Sequence, residues 1–179
     1  DLLTTNKKIE LSGESKEKIT KCNAFLLSKI EDKNSVIYGV NTGFGSLCNT
    51  KIDQKDLTQL QVNLIRSHAC GMGDYVPHDI VKIMLLLKVK SLSYGHSGVQ
   101  LATVEKLLDL YNTSTLPVIY ELGSLGASGD LAPLSHMSLP LIGEGMVWSK
   151  DSITIKKAKP SNLILGPKEG LALINGTQF

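Results

Sequence analysis

The sequence predicts a mainly α-helical protein, and two observations support this class. Several stretches repeat apolar residues at the three- and four-residue spacing of an amphipathic helix. Glycine-rich loops separate these stretches, and only the segment 146–155, where VW and ITI flank a polar turn, has the pattern of a β-hairpin. We therefore expect helices joined by specialised loops, with one small β-hairpin near 146–155.

The first two helices are predicted in the N-terminal third of the chain. The first runs from about residue 16 to 30. Its apolar stripe consists of Ile19, Cys22, Phe25, Leu26 and Ile30. For the second helix, Asp53 is the predicted N-cap, and the helix runs to Cys70 and stops at Gly71 in the C′ position.

Three more helices are predicted after it. Pro77 can open a helix that is apolar almost all round, so we expect that helix to be central and buried. The next helix covers about residues 99–111. Asp130 and Pro133 suit the first turn of a further helix that continues through Leu141.

Composition limits the classes of function. The 179 residues are 42% hydrophobic, so residues 1–179 are predicted to form a single domain with a large core. The net charge of +2 and the 5% of aromatic residues do not favour nucleic-acid binding. The longest apolar stretch contains Lys88 and Lys90, so no membrane span is expected. The chain stops just after a Gly-Thr-Gln sequence, and we expect it to be the N-terminal part of a longer one.

Cysteine and histidine spacing indicates the compartment and argues against a metal. The three cysteines are widely spaced without a CxxC pair, which favours a reducing, cytoplasmic compartment over a disulfide framework or a structural zinc site. The four histidines lack HxxxH and HExxH spacing, so no metal site is predicted. The start of the chain has no signal-peptide core.

The glycine-rich loops do not match the common nucleotide or hydrolase motifs. In the loop at 38–47, Cys48 stands where GxGxxG requires its third glycine. The segment 126–129 is not followed by the Lys-Ser/Thr of a phosphate-binding loop. Ser97 and Ser128 each lack the plus-two glycine of GxSxG, so neither is predicted to be a hydrolase nucleophile.

The tripeptide Ala127-Ser128-Gly129 can supply an electrophile, which ordinary side chains lack. Attack of the Gly129 amide nitrogen on the Ala127 carbonyl carbon closes a five-membered ring. Loss of water from that ring and from Ser128 leaves an exocyclic methylidene group. Small residues suit this chemistry because they leave the nitrogen accessible and the dihedral angles free. The tripeptide alone is equally typical of a plain turn.

Four longer motifs resemble the aromatic amino acid ammonia-lyase family, over nearly the whole chain and in the family's order. They are YGVNTGFGSL at 38–47, LQVNLIRSHACGMG at 60–73, GSLGASGDLAPLSHMSLPLIGEG at 123–145 and GLALINGTQ at 170–178. The resemblance implies the N-terminal portion of that family's helical fold. It also implies that Ala127, Ser128 and Gly129 cyclise autocatalytically to 4-methylidene-imidazol-5-one, with no external cofactor.

The resemblance also assigns roles to four further residues. It implies that Tyr38 is the catalytic base and that Gly45 lies close to the substrate. It implies that His68 contacts the substrate side chain and that Asn175 holds the prosthetic group and the substrate. Each has an ordinary structural alternative: a packing tyrosine, a turn glycine, a hydrogen-bonded histidine on an apolar helix face, and a turn asparagine.

The implied reaction removes ammonia from an aromatic amino acid and leaves an α,β-unsaturated acid. The segments GDLAPLSHM and NGTQ are most similar to the family's histidine-specific members, which implies histidine as substrate and urocanate as product. Tyrosine or phenylalanine as substrate, an aminomutase reaction, and an inactive truncated helical module remain alternatives. Members of the family are homotetramers with active sites shared between subunits, so the resemblance implies the same assembly here.

Overall fold

The computed structural model describes residues 7–31, 36–45, 50, 52–53, 56–124, 126–149 and 153–179. Within these residues the α-helices are α1 (Gly13–Ile30), α2 (Leu57–His68), α3 (His78–Ser93), α4 (Leu101–Asn112), α5 (Leu131–Ser138) and α6 (Glu169–Ile174), and a 3₁₀ helix (Leu139–Ile142) follows α5. The strands are β1 (Met72–Tyr75), β2 (Tyr120–Leu122), β3 (Met146–Trp148) and β4 (Ile155–Lys157). The prediction of a mainly α-helical protein is confirmed.

Helix α3 supplies the centre of the core, as its apolar composition predicts. Its buried side chains pack mainly against α4, and they are Val81, Met84, Leu85, Lys88, Val89 and Leu92. The helix is not buried on every side, because Ile80 and Leu87 are exposed on its outer side. Conversely, Lys88 is only 1% exposed although it is charged in water. The apolar composition therefore predicts that the helix is central, but it predicts neither the exposed outer side nor this buried lysine.

Helices α1 and α2 differ in detail from the prediction. In α1 the inward stripe holds except for Phe25, which is 63% exposed. Helix α2 begins at Leu57 with Asp56 as its N-cap, so the predicted cap at Asp53 is wrong. The Asp53 carbonyl instead accepts a hydrogen bond from the Asp56 N–H in the turn before the helix.

The predicted end of α2 at Gly71 is also wrong. The helix ends at His68, and Ala69 is its C-cap. A Cβ at Gly71 would lie 3.1 Å from both the His136 ring and the Tyr120 Cβ. Position 71 therefore leaves little room for a side chain, because the chain passes close to β2 and α5 there. The glycine does not serve as a helix cap, since the helix ends before it.

Two antiparallel two-stranded sheets lie among the helices. Strands β3 and β4 pair Val147 with Lys156, which confirms the hairpin predicted near 146–155, although the turn residues 150–152 lie outside the described part of the chain. The pairing of β1 with β2 was not predicted. These strands are short, and α3 and α4 separate them in the sequence, so no local hairpin pattern indicates them.

The short helix α6 was also not predicted, and it packs between α2 and α5. The Gly170 N–H donates to the Gln61 side-chain oxygen at 2.9 Å, and a Cβ at Gly170 would lie 2.6 Å from the Gln61 carbonyl oxygen. The buried Glu169 carboxylate accepts hydrogen bonds from the backbone N–H groups of Gln100 and Gly166, at 2.8 and 2.6 Å. These contacts fix the segment that leads to Asn175.

A helix that crosses a membrane must be both long and apolar. Among the described residues, no helix meets both requirements.

Candidate active site

The glycine-rich loop after α1 is anchored by its own polar side chains. The Asn41 side-chain oxygen accepts a hydrogen bond from the Ile37 N–H at 2.7 Å. The Thr42 hydroxyl donates to the Gly43 carbonyl at 2.9 Å, and both Asn41 and Thr42 are buried. The middle of the loop therefore lies inside the protein, whereas its ends, Tyr38 and Gly45, are exposed.

Gly39, next to Tyr38, explains why this loop needs glycine. Its φ of +72° belongs to the left-handed region, and an added Cβ would lie 2.5 Å from a methyl group of Leu171 in α6. The Tyr38 ring contacts the edge of the Phe44 ring at a centroid distance of 6.1 Å. The loop thus packs Gly39 against α6 and Tyr38 against Phe44.

The tripeptide Ala127-Ser128-Gly129 forms a turn directly before α5. Gly129 has a φ of +88°, and an added Cβ would collide with the carbonyl group of Gly176. The Asp130 N–H donates to that same carbonyl at 2.7 Å, so the turn lies against the segment that follows α6. Ala127 and Ser128 are exposed. The residues present fit the cyclised prosthetic group, because glycine is required at 129 and the turn leaves Ser128 accessible.

Asp130 holds this turn in a way that the sequence did not indicate. It is the N-cap residue of α5, but its carboxylate does not cap that helix. One carboxylate oxygen accepts a hydrogen bond from the Ser124 hydroxyl at 2.7 Å, and the other accepts from the Phe179 N–H at 2.8 Å. Asp130 therefore connects both sides of the turn to the C-terminal segment.

His68 is the last residue of α2 and lies one turn after Leu64 on the same face of the helix. Its Nδ1 lies 2.9 Å from the Leu64 carbonyl oxygen. The Ser67 hydroxyl, which can donate or accept, also lies 3.1 Å from Nδ1. When Nδ1 donates to the Leu64 carbonyl, the neutral ring offers Nε2 as an acceptor. His68 is half-buried. The ring is therefore fixed by its own helix and offers one acceptor nitrogen.

Asn175 directly follows α6. Its N–H donates to the Leu171 carbonyl at 3.0 Å, and its own carbonyl accepts a hydrogen bond from Lys88 Nζ at 2.9 Å. The residue as a whole is exposed. Backbone contacts therefore fix its main chain and leave its side-chain amide on the surface of the site.

The predicted site residues meet around two adjoining cavities. One, of about 510 Å³, is lined by Tyr38, Gly45, His68, Ser128 and Asn175 together with an apolar wall. The other, of about 200 Å³, is lined by Ala127, Ser128 and Gly129 and also shares His68. The structure thus brings together seven residues that come from four distant segments of the chain.

Lys168 lines the larger cavity and was missed by sequence reasoning. It is the one lysine or arginine among the described lining residues, and its ammonium donates to the Ser97 carbonyl at 2.8 Å. Its φ of +69° is unusual for a residue with a side chain. Nothing in the local sequence predicts this conformation, because it depends on the contact between α6 and the loop before α4.

Metal ligation is not indicated in the described part of the chain. The structure there brings together no group of three or more histidine, cysteine, aspartate or glutamate side chains that could hold a metal ion.

Comparison with known proteins defines the class to which this fold and site belong. The sequence profile of the aromatic amino acid lyase family matches residues 1–179, and the chain belongs to that family. Among its relatives is histidine ammonia-lyase of Streptococcus gordonii, which is 49% identical over 173 residues. This match covers 94% of the chain but 34% of the relative. The chain thus spans about a third of the length of the curated relatives it matches.

Solved structures agree with this assignment. Histidine ammonia-lyase of Trypanosoma cruzi superimposes with a TM-score of 0.86 at 37% identity, covering 99% of the chain and 35% of that structure. Tyrosine aminomutase of Streptomyces globisporus superimposes equally well, with a TM-score of 0.86 at 34% identity over 99% of the chain and 34% of that structure. The fold is that of the N-terminal part of these enzymes, and the predicted family is confirmed.

Proposed function

We propose that this chain forms the N-terminal active-site region of an enzyme that eliminates ammonia from L-histidine to give urocanate. The observation that carries the proposal is the cavity of about 510 Å³, on which Tyr38, Gly45, His68, Ser128 and Asn175 converge. The identity of 49% to a histidine ammonia-lyase supports the choice of reaction.

The electrophile in this proposal is 4-methylidene-imidazol-5-one, formed from Ala127, Ser128 and Gly129. When formed, it supplies the electron sink that removal of an amino group requires and that ordinary side chains lack. The chain's own contribution is to hold the turn: the Gly176 carbonyl accepts from the Asp130 N–H, and the close approach of Gly176 excludes any side chain at Gly129. Asn175, beside this contact, is the residue we assign to holding the group and the substrate.

Tyr38 is the proposed base that removes the substrate's β-proton. Its ring lies on the cavity wall, where the edge contact with Phe44 restricts its orientation. Gly45 at the other end of the loop has open space where a Cβ would point, so the substrate can approach the backbone there. A base fixed in this way needs little rearrangement before proton transfer.

His68 is the proposed contact for the substrate side chain, and its tautomer bears on the choice of substrate. Because Nδ1 faces the Leu64 carbonyl, Nε2 accepts hydrogen bonds. An imidazole N–H or a phenol O–H can donate to it, whereas a phenyl ring cannot. Histidine is therefore favoured over phenylalanine, and tyrosine is the second candidate, supported by the tyrosine aminomutase among the solved structures.

We further propose a homotetramer with shared active sites. Met72 and Leu122 are partners in the pairing of β1 with β2 and are 69% and 63% exposed. Such an apolar surface is typical of a face that another part of the assembly covers. Light scattering of the complete gene product should give four times the mass of one chain.

The test of the proposed function is an assay of the complete gene product with histidine, tyrosine and phenylalanine. We expect ammonia release with the absorbance of urocanate from histidine, poorer release from tyrosine and the poorest from phenylalanine. A preference for tyrosine would reject the substrate but keep the ammonia-lyase class. No ammonia from any of the three would favour an inactive helical module, and a β-amino acid product would indicate an aminomutase.

The prosthetic group has its own test, which is independent of turnover. Loss of two water molecules should lower the intact mass by about 36 Da relative to the unmodified sequence. An unmodified mass in the folded gene product would contradict the proposed electrophile. Ser128→Ala, which lacks the hydroxyl to be eliminated, is the control and should not show this loss.

A further inference from the structure

Lys88 is a charged residue in the middle of the apolar core. It lies on the inner face of α3, one turn after Met84 and Leu85 and one turn before Leu92, all of which are buried. Its side chain is 1% exposed, and burial lowers its pKa to about 8. A cation in such surroundings is unfavourable for folding, so its presence calls for a contact that an apolar residue could not make.

That contact is with the active site. The Lys88 ammonium donates to the backbone carbonyl of Asn175 at 2.9 Å. Near neutral pH the amine is still mostly protonated, so this hydrogen bond is charge-assisted and stronger than one between neutral groups. The Asn175 side chain lines the larger cavity.

The contact also bears on the tripeptide turn. Gly176 follows Asn175 directly, and its carbonyl accepts from the Asp130 N–H at 2.7 Å. Consecutive carbonyl groups of one short segment are therefore bound from two sides: Lys88 binds the first from the core, and Asp130 binds the second from the turn. A shift of this segment would move Asn175 and Gly129 together, because Gly129 lies directly against Gly176.

We propose that Lys88 is a positioning residue of the active site, which acts through the backbone of Asn175 to hold the Asn175 side chain and the Ala127-Ser128-Gly129 turn in register. The inference rests on the proposed function. Lys88 does not reach the cavity lining, and its role is to fix the segment that does.

The test compares Lys88→Met with Lys90→Met in the complete gene product. Methionine keeps the length and unbranched shape of lysine but removes the charge and the donor. Lys90 receives the same substitution two residues later on the exposed side of α3, so it is the matched control. We expect Lys88→Met to lower kcat by about tenfold to a hundredfold, as misplacement of a catalytic group by about 1 Å does. KM should change little.

Two further readouts separate positioning from a structural role. The melting temperature of Lys88→Met should equal or exceed that of Lys90→Met, because a buried charge has been removed. Amide hydrogen exchange across residues 173–179 should become at least about threefold faster in Lys88→Met, since the segment has lost its hydrogen bond to the core. Lys88→Arg keeps a charged donor and should recover most of the lost kcat.

The outcomes distinguish this inference from the proposed function. Unchanged kcat and unchanged exchange in Lys88→Met, with an active parent, would overturn the inference alone. A variant that loses its fold, or an Arg variant as slow as the Met variant at equal stability, would assign Lys88 to the fold and also overturn it. A parent that releases no ammonia would overturn the proposed function, and the inference with it.

Discussion

At the scale of single residues, the Tyr38 hydroxyl separates catalysis from packing. The ring contacts Phe44 and is 57% exposed, so Tyr38→Phe keeps the packing and removes only the proton acceptor. We expect turnover to fall by about a hundredfold or more. The free energy of unfolding should change by less than about 0.5 kcal/mol.

The control for this change is Tyr94→Phe, at an exposed tyrosine just after α3 and away from the described cavity lining. Its steady-state rate should match that of the parent. Turnover of Tyr38→Phe within severalfold of the parent would return Tyr38 to a packing role.

His68 is the single residue that we expect to determine the choice between histidine and phenylalanine as substrate. His68→Phe removes the Nε2 acceptor, which costs a donating substrate about 1 to 3 kcal/mol and costs a phenyl substrate nothing. We expect the ratio of kcat/KM for histidine to that for phenylalanine to fall, with phenylalanine gaining in relative rank. His96→Phe, at an exposed histidine, serves as the control. An unchanged ratio of the two kcat/KM values would show that a group other than His68 binds the substrate side chain.

At the scale of secondary-structure elements, His136 of α5 binds the short connection between α2 and β1. His136 Nε2 accepts a hydrogen bond from the Gly71 N–H at 3.0 Å. The imidazole ring also makes a T-shaped contact with the Tyr120 ring, with a distance of 5.0 Å between the ring centroids. Burial lowers the pKa of His136 below its ordinary value of 6.5. The neutral ring is therefore the folded form, since a protonated Nε2 could not accept from Gly71.

This contact predicts a loss of stability in acid. The unfolded chain binds a proton at higher pH than the folded one, so the His136 contribution is fully present above the unfolded pKa and is lost as the pH falls through the lower folded pKa. The hydrogen bond at stake is worth on the order of 1 kcal/mol. Urea unfolding between about pH 7.5 and pH 5 should show a smaller acid loss in His136→Gln, whose amide oxygen accepts without titrating. His96→Gln should keep the parent's pH dependence, and an identical curve for His136→Gln would reject the assignment.

The elements also show what local pattern can and cannot predict. Helices α1 and α4 were predicted because each is at least three turns long and has a periodic apolar stripe, and α3 was predicted because it is apolar almost all round. Helix α6 has six residues and β2 has three, which is too short for a period to be visible. Their structure depends on contacts with distant segments, such as the hydrogen bond from Gly170 to Gln61.

At the scale of the whole molecule, motifs selected the residues of the candidate site but not the residues that support them. Tyr38, His68, Ser128 and Asn175 stand in long motifs, so the family resemblance selected them before the fold was known. Lys88 lies in an apolar stretch of the sequence, and a lysine in such a stretch is ordinarily expected to point into solvent. Its partner is 87 positions away, and no spacing rule relates the two residues.

The contact between Gly129 and Gly176 sets an order in time for the maturation of the protein. During synthesis the tripeptide leaves the ribosome well before Gly176, and Phe179, which binds the Asp130 carboxylate, comes 49 positions after that aspartate. At about 5 to 20 residues per second, the turn waits several seconds without its support. Under the proposed function, ring closure at Ala127-Ser128-Gly129 follows the docking of this late segment. Under the same proposal, we expect the nascent chain to stay chemically unreactive until the segment at 175–179 has been made.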